Sequence, residues 1–426
     1  MVVVGAGLVG LAMWLRHGGL ARDPLTGIGE LAALGGTFLA LVGILLASRA
    51  PWLDQVVGSD RLLVVHRWLG FSVISLLSIH GVLSTLAFAQ GSSSSFTDEL
   101  GLLISTIPGM LGAVVALALF GLVTMVSLRY ARARVSYETW HGIHLYIYLA
   151  LALAFLHQLT IGTDFVNDPL AQAFWIGLYV AALLPLAWYR WITPGRLFVR
   201  YRFRVAAVAE ETTGVVSVYI NGRDLARLPV RSGQWFRLRF LTADRWWRAH
   251  PFSLSAAPDG QALRFTIKAA GDSSGSAGQI KPGTSVMLEG PYGILHGGIR
   301  KHDNVLLIAG GVGITPLRAL LESLSAKPGQ IALLYRVRGQ EEILFRAELD
   351  GLARHRGAQV HYLSGPRGTD LESDPLGPVS IGRLVPDVCK RDVYLCGPLG
   401  LMDLATGSLA LLGVPAEQIH AERFEF

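Results

Sequence analysis

The chain changes character near residue 197. Ahead of that point apolar residues come in long runs, at about 1–15, 28–48, 62–88, 105–128, 139–160 and 172–189. A helix crossing roughly 30 Å of hydrocarbon needs about 20 apolar residues. Five of the six runs supply them; the first has fifteen residues before Arg16. From Leu197 the apolar positions alternate in short segments, FVRYRFRVAAVAE, GVVSVYING, GQWFRLRFL and ALRFTIKAAG, broken by glycine and Asp-Gly turns. A period of two with such turns predicts a small antiparallel barrel. After about Arg300 the pattern becomes strand, Gly-rich loop, helix. NVLLIAGG leads into VGITPLRALLESL, followed by IALLYRVRG, QVHYLSG and DVYLCGPLG. That alternation predicts a parallel sheet. The expected fold is a multi-domain membrane protein: an all-α six-helix transmembrane bundle over 1–196, an antiparallel β-barrel over 197–299 and an α/β Rossmann-like domain over 300–426.

Charge sharpens the division. Residues 1–196 carry 19 charged side chains and the other 230 carry 49. A chain that is 51% hydrophobic and 16% charged is not disordered. The net charge of +6 comes from scattered arginines with no dense basic run, which argues against nucleic-acid binding. The two cysteines, Cys389 and Cys396, form neither a disulfide framework nor a zinc motif, in keeping with a reducing compartment. No cleavable leader is expected at the start. The loops at 89–104 and 161–171 lack Lys and Arg. The loop at 129–138 has Arg129, Arg132 and Arg134, and Arg190, Arg196 and Arg200 follow the sixth run. Positive charge stays inside. Both termini are therefore expected in the cytoplasm, with Arg16 and Arg22 in the first outer loop as a mild exception. Gly5–Gly10 fits GxGxxG, but no second strand follows, so a membrane helix is the better reading.

Ionisable residues inside spans are rare and usually functional. The third span holds His66 and His80; the fifth holds His144 and His157, with His141 one turn earlier. The spacings of 14 and 13 residues correspond to roughly 20 Å along a helix axis. The two spans run the same way, so His66 is level with His144 and His80 with His157. Two stacked bis-histidine b-type haems fit such pairs. Taken singly, each histidine reads better as a hydrogen-bonded structural residue; it is the four at matched depth that favour haem. The 13-residue spacing is also about 140° out of phase in an ideal helix, so helix distortion or different rotamers are required. His17 and His141 are expected to have ordinary structural roles. Arg67 suits a haem propionate or the interface.

In the second half, His250-Pro251-Phe252-Ser253 ends a strand, where an aromatic covers an isoalloxazine face and a hydroxyl bonds a flavin nitrogen. Lys268, Gly271, Ser273 and Ser274 combine a cation, a glycine and hydroxyls suited to pyrophosphate. Gly310, Gly311, Gly313, Thr315 and Pro316 lie between a strand and a helix, where backbone amides attract phosphate. Arg336 and Arg338 stand where a 2′-phosphate is clamped, favouring NADPH over NADH, or are plain surface arginines. Cys396-Gly397-Pro398 closes the last sheet strand, and Cys396 is equally suited to core packing. The terminal Phe426 either stacks on flavin or is a packed tail.

These motifs in this order resemble a known family. HPFSLS, KAAGDSSG, EGPYG, GGVGITP, YRVR, YLCGP and the terminal FEF are similar to the ferredoxin–NADP reductase superfamily. HRWLG…H and WHGIHLYIY…H resemble the ferric reductase transmembrane domain. Together they resemble the NADPH oxidase/ferric reductase family over almost the whole chain. The resemblance implies FAD, NADPH and two haem b as cofactors, with His66, His80, His144 and His157 on haem iron. It implies catalytic positions at Ser253, Cys396 and Phe426. His250, Phe252 and Ser253 would contact FAD, Lys268 and Ser274 its pyrophosphate, and Phe426 would gate the nicotinamide. The implied activity is transmembrane electron transfer to O2, giving superoxide, in a bacterial inner membrane. Ferric-chelate reduction and donation to a separate periplasmic or membrane partner protein are the alternatives. Superoxide-producing eukaryotic members carry a further histidine one turn beyond the outer third-span ligand. Here that position is Ser84, which leaves the acceptor open.

Overall fold

The computed structural model describes residues 2–19, 23–57, 59–166, 168–269, 277–366, 368, 371 and 373–423. It falls into two units, residues 1–53 with 61–190 and residues 54–60 with 191–426.

The helices, in order, are α1 (Val2–Arg16), α2 (Pro24–Ala47), α3 (Pro51–Val57), α4 (Ser59–Ser92), α5 (Phe96–Thr106), α6 (Met110–Ser127), α7 (Arg129–Arg132), α8 (Tyr137–His144), α9 (Tyr146–Ile161), α10 (Thr163–Val166) and α11 (Pro169–Ala187). A five-residue π-turn, Trp188–Ile192, joins α11 to α12 (Thr193–Tyr201). Among the described residues five segments are long and apolar enough to cross a membrane: Pro24–Ala47, Arg61–Ser92, Met110–Ser127, Glu138–Ile161 and Pro169–Tyr201. With fifteen residues, α1 is shorter. It contains Gly5–Gly10, so that glycine pattern lies inside a helix.

The structure corrects one expectation and adds two details. The loop expected at 89–104 is largely helical. There Ser95 Oγ accepts from Asp98 N at 3.2 Å, and Asp98 and Glu99 lie in the first turn of α5, where carboxylates suit the helix dipole. The fifth apolar run has a one-residue irregularity at Leu145, between α8 and α9, where the backbone stays in the right-handed helical region. Arg16 is no stray charge: its Nη2 lies 2.7 Å from Asp168 Oδ2, which His17 Nε2 also reaches at 3.0 Å.

Two apolar clusters knit the first unit. Leu41, Ile44, Leu151, Tyr179, Ala182 and Leu186 join α2, α9 and α11; Val73, Ala116, Phe120 and Ala150 join α4, α6 and α9. Between them, Gln158 Nε2 donates to Thr37 Oγ1 at 2.7 Å, and the Tyr179 hydroxyl donates to Gln158 Oε1 at 2.9 Å. Such polar pairs bond across helices where lipid offers no partner.

The second unit begins with six antiparallel strands: β1 (Arg204–Thr212), β2 (Val215–Asn221), β3 (Trp235–Phe240), β4 (His250–Ser253), β5 (Ala262–Lys268) and β6 (Val286–Tyr292). They form two three-stranded sheets, ordered β1-β2-β5 and β4-β3-β6. The Leu254–Phe265 and Arg204–Ser285 bridges connect them. Period-two alternation turns Val218, Ile220, Phe236, Leu238, Phe265 and Ile267 into one core. Five parallel strands follow: β7 (Val305–Gly310), β8 (Ile331–Arg336), β9 (Gln359–Leu363), β10 (Asp392–Gly397) and β11 (Ile419–Arg423), in the order β11-β10-β7-β8-β9. Every residue of β7, β8 and β10 is buried, as expected for a sheet covered on both faces. The order reverses between β7 and β10, which places a crevice at their carboxyl ends.

A fully buried carboxylate ties the barrel's exit to this sheet. Asp392, at the start of β10, accepts from Lys301 N at 2.8 Å, His302 N at 2.6 Å and His420 Nε2 at 2.8 Å. Burial alone would raise its pKa, but the hydrogen bonds from His420 and the two backbone amides hold it below the usual value. A depressed folded-state pKa contributes stability that is present above the unfolded value, about 3.9. That stability is lost as pH falls through the folded value. Asp392→Ala leaves those donors without their acceptor, and should lower the unfolding free energy of the second unit by about 3 kcal/mol at neutral pH. Urea titration of the solubilised chain checks this: the gap between variant and parent should narrow as pH drops below about 4.

Candidate functional site

The four membrane histidines lie on two segments, His66 and His80 on α4, His144 and His157 on α8 and α9. His66 and His144 face each other with ring centroids 6.1 Å apart. Two metal–imidazole bonds of about 2 Å each, plus the half-widths of two rings, sum to roughly 6 Å. This spacing is that of two imidazoles with room for one metal between them. His80 and His157 lie further along the same two segments, on α4 and α9. Leu145, between His144 and His157, keeps right-handed helical φ and ψ of −67° and −18°.

The donor chemistry fits haem iron. His66 Nδ1 lies 3.0 Å from the Gly43 carbonyl, and His80 Nδ1 lies 3.0 Å from the Gly29 carbonyl. A carbonyl only accepts, so each Nδ1 carries the proton and each Nε2 keeps its lone pair. The Nδ1 atoms of His144 and His157 are buried without a hydrogen-bond partner among the described residues. Sequence reasoning missed Gly29 and Gly43, although their 14-residue separation mirrors that of His66 and His80. It also missed Trp140, whose ring lies 5.1 Å from His144 and beneath the Arg132 guanidinium, and whose Nε1 donates to Ser127 Oγ at 3.2 Å. Gly109, in a left-handed conformation, lets the turn before α6 approach His157: a Cβ there would sit 3.5 Å from His157 Cα.

In the barrel, β4 is an edge strand, which tolerates Pro251 opposite Arg237. Leu238, Phe240, Arg245, Arg248, His250, Phe252 and Ile267 line a cleft beside it. The Ser253 hydroxyl is buried, with no hydrogen-bond partner among the described residues. An orphaned hydroxyl at the end of a strand carrying Phe252 fits a flavin ring that presents a nitrogen to it. Lys268 ends β5 and is exposed; Gly271, Ser273 and Ser274 lie outside the described residues.

At the sheet crevice, Gly310 ends β7 and Gly311–Gly313 make one 3₁₀ turn into the Ile314–Ser323 helix. A Cβ on Gly313 would fall 2.3 Å from the Cys396 carbonyl oxygen, so only glycine lets the two loops meet. Thr315 Oγ1 donates to Val312 O at 3.0 Å, and Tyr335 OH to Gly311 O at 3.1 Å, stiffening the turn. Pro316 is buried in the helix's first turn. Gly397 packs on Gly310, and Pro398 caps the Leu399–Leu411 helix. The Cys396 thiol is fully buried; burial, then the Glu422 carboxylate, push its pKa up, so it stays protonated at neutral pH. Glu422 in turn accepts from Ile294 N, tying β11 to the turn after β6. Phe426 lies outside the described residues.

The arginine pair divides. Arg336 is buried and donates to the carbonyls of Val337, Leu363, Gly365 and Pro366, the last three at 3.0, 2.6 and 2.8 Å. It holds the turn after β9 instead of standing open to a phosphate. Arg338 is exposed, beside Glu342.

Residues 32–155 match the family described as ferric reductase like transmembrane component, and residues 307–406 match the oxidoreductase NAD-binding domain. A flavohemoprotein of Chromobacterium violaceum is 31% identical over 245 residues, covering 52% of this chain and 60% of that protein. The ferredoxin reductase component of a 3-ketosteroid-9-alpha-monooxygenase from Rhodococcus rhodochrous is 30% identical over 230 residues, covering 52% and 64%. The chain thus matches less than two thirds of these relatives' own length. Among solved structures, the FAD/NAD binding domain of a nitric oxide dioxygenase from Vibrio cholerae aligns at TM-score 0.44 and 25% identity, over 52% of this chain and 97% of that one. One chain therefore carries both a match to a ferric reductase like transmembrane component and a match to an oxidoreductase NAD-binding domain.

Proposed function

We propose that this chain takes electrons from NADPH on the cytoplasmic side of a bacterial inner membrane and delivers them to dioxygen on the other side, giving superoxide. The observation that carries the reading is the facing His66/His144 pair, 6.1 Å apart inside apolar helices, with His80 and His157 further along the same two segments. Bound to this chain, FAD and two b-type haems would accept hydride, split the pair and carry single electrons, so that one NADPH reduces two dioxygen molecules.

The chain's own residues do the holding. His66 and His144 would hold the inner haem, and His80 and His157 the outer one. Phe252 would cover the flavin ring, and Ser253 would give its unpartnered hydroxyl to a ring nitrogen. His250 and Pro251 line the same strand end. Lys268, with Gly271, Ser273 and Ser274, would meet the flavin pyrophosphate. The amides of the Gly310–Gly313 turn, Thr315 and Pro316 would receive the NADPH phosphates at a helix N-terminus. Arg338 would meet the 2′-phosphate. Cys396, Gly397 and Pro398 would wall the nicotinamide, with Phe426 as the gating aromatic. The arginines at 129–134 and 190–200 support six spans with both termini inside. We assign residues 1–196 to the di-haem domain, 197–299 to the FAD domain and 300–426 to the NADPH domain. Ferric chelates are the second reading for the acceptor, favoured by the match of residues 32–155 to a ferric reductase like component.

Replacing His80 by Ala should remove about half of the haem from the purified chain, while NADPH still reduces the flavin at the parental rate. Haem quantification and stopped-flow flavin bleaching check both halves; slowed flavin reduction would count against the linear order. Arg338→Ala should raise KM for NADPH roughly tenfold and leave NADH unaffected, whereas Arg336→Ala should lower thermal stability with either nucleotide. Steady-state kinetics with the two nucleotides separate these outcomes. Reduced haem bands that vanish on admitting air, with superoxide detected, support dioxygen; bands that persist in air support ferric chelates.

A further inference from the structure

The two imidazoles on α4 are held from α2 by one repeated device. Gly29, Gly36 and Gly43 recur every seven residues along α2. At Gly36, midway between Gly29 and Gly43, a Cβ would lie 2.9 Å from Leu77 Cδ2 of α4. The missing side chains let α4 approach until the Gly43 and Gly29 carbonyls each lie 3.0 Å from a histidine Nδ1. Up to this point the two sites are equivalent.

They differ one turn further along α4. Ser84 Oγ lies 3.2 Å from His80 Nδ1 and is wedged against α2, because a Cβ on Gly29 would meet it at 3.1 Å. The position four after His66 is Gly70, which has no side chain to offer. With its Nδ1 proton directed at a carbonyl, His80 uses the Ser84 hydroxyl as a second acceptor for the same proton. His66 has one such acceptor and His80 has two.

We infer that Ser84 is a positioning residue that makes the haem held by His80 and His157 the stronger electron donor of the two. This rests on the haem reading given above. Hydrogen bonds accepted from Nδ1–H raise the basicity of the ligating nitrogen and stabilise the oxidised metal. A second acceptor at His80 alone lowers the potential of that haem and leaves the other unchanged. Since the Gly29 carbonyl still fixes the tautomer when the hydroxyl is removed, ligation itself does not depend on Ser84.

The test is a spectroelectrochemical titration of the full chain in detergent, as isolated with its haem, for the parent, Ser84→Ala and Ser84→Thr. His80→Ala identifies which of the two reduction waves belongs to the haem held by His80 and His157. Ser84→Ala should keep the full haem content and absorbance maxima, shift that wave alone to higher potential, and change one of the two ferric low-spin electron paramagnetic resonance signals. Ser84→Thr, which retains the hydroxyl, should restore the parental wave. Superimposable titrations of parent and Ser84→Ala, or equal movement of both waves, would overturn the inference while leaving the haem assignment standing. Absence of haem bands from the parent would overturn both.

Discussion

An imidazole placed inside an apolar helix bundle needs partners for two nitrogens, and the first unit is arranged around that need. Leaving a polar group unpaired in such surroundings costs several kcal/mol. The helix that supplies the partners has to come unusually close, because a carbonyl already bonded within its own helix offers only its second lone pair. This explains why α2 carries Gly29 and Gly43 at the levels of His80 and His66, with Gly36 between them. The glycine spacing, the α2–α4 approach and the tautomer of two candidate iron ligands are one constraint seen at three levels.

The second unit obeys a different rule. Its site is made by strand ends, and backbone-to-backbone contact sets its precision. Gly313 abuts the Cys396 carbonyl, and Gly397 abuts Gly310, so the two loops at the sheet's switch point fix each other. Tyr335, from the neighbouring strand, reaches the carbonyl of Gly311. Charged groups that look available in the sequence are absorbed by this frame. Arg336 satisfies a row of carbonyls in the turn after β9, and Asp392 gathers donors from the segment leading into β7. Of the buried hydroxyls without a hydrogen-bond partner among the described residues, that of Ser253 lies at the end of β4, beside Phe252.

What the sequence disclosed follows from the same physics. Long apolar runs and period-two segments report burial directly, so the spans, the barrel and the parallel sheet were legible without coordinates. The pairing of His66 with His144 was legible because depth in a helix is linear in residue number. Azimuth is not so simply read. The 13-residue spacing of His144 and His157 is out of phase in an ideal helix, so their relative direction does not follow from residue number. The role of Arg336 was illegible because side-chain direction at a strand end depends on a turn nearly thirty residues away. The helix at Phe96–Thr106 hid in a serine-rich stretch whose composition suggests a loop but whose Ser95–Asp98 contact is a helix cap.

Ser84 shows how a departure from a family pattern gains meaning only in three dimensions. In sequence it marks the absence of a histidine at a position where some relatives of this fold carry one. In the structure it is a third member of a contact between α2 and α4, set against Gly29 and within reach of His80 Nδ1. The bulk that a larger side chain would bring there has nowhere to go, since even a methyl group on Gly29 would press on the hydroxyl at 3.1 Å. The close approach that gives His80 its carbonyl partner therefore also restricts position 84 to a small side chain. A small side chain able to accept a hydrogen bond is a serine, or a threonine if its methyl group can turn away from α2. The same packing that secures the imidazole thus narrows the choice of residue that tunes it.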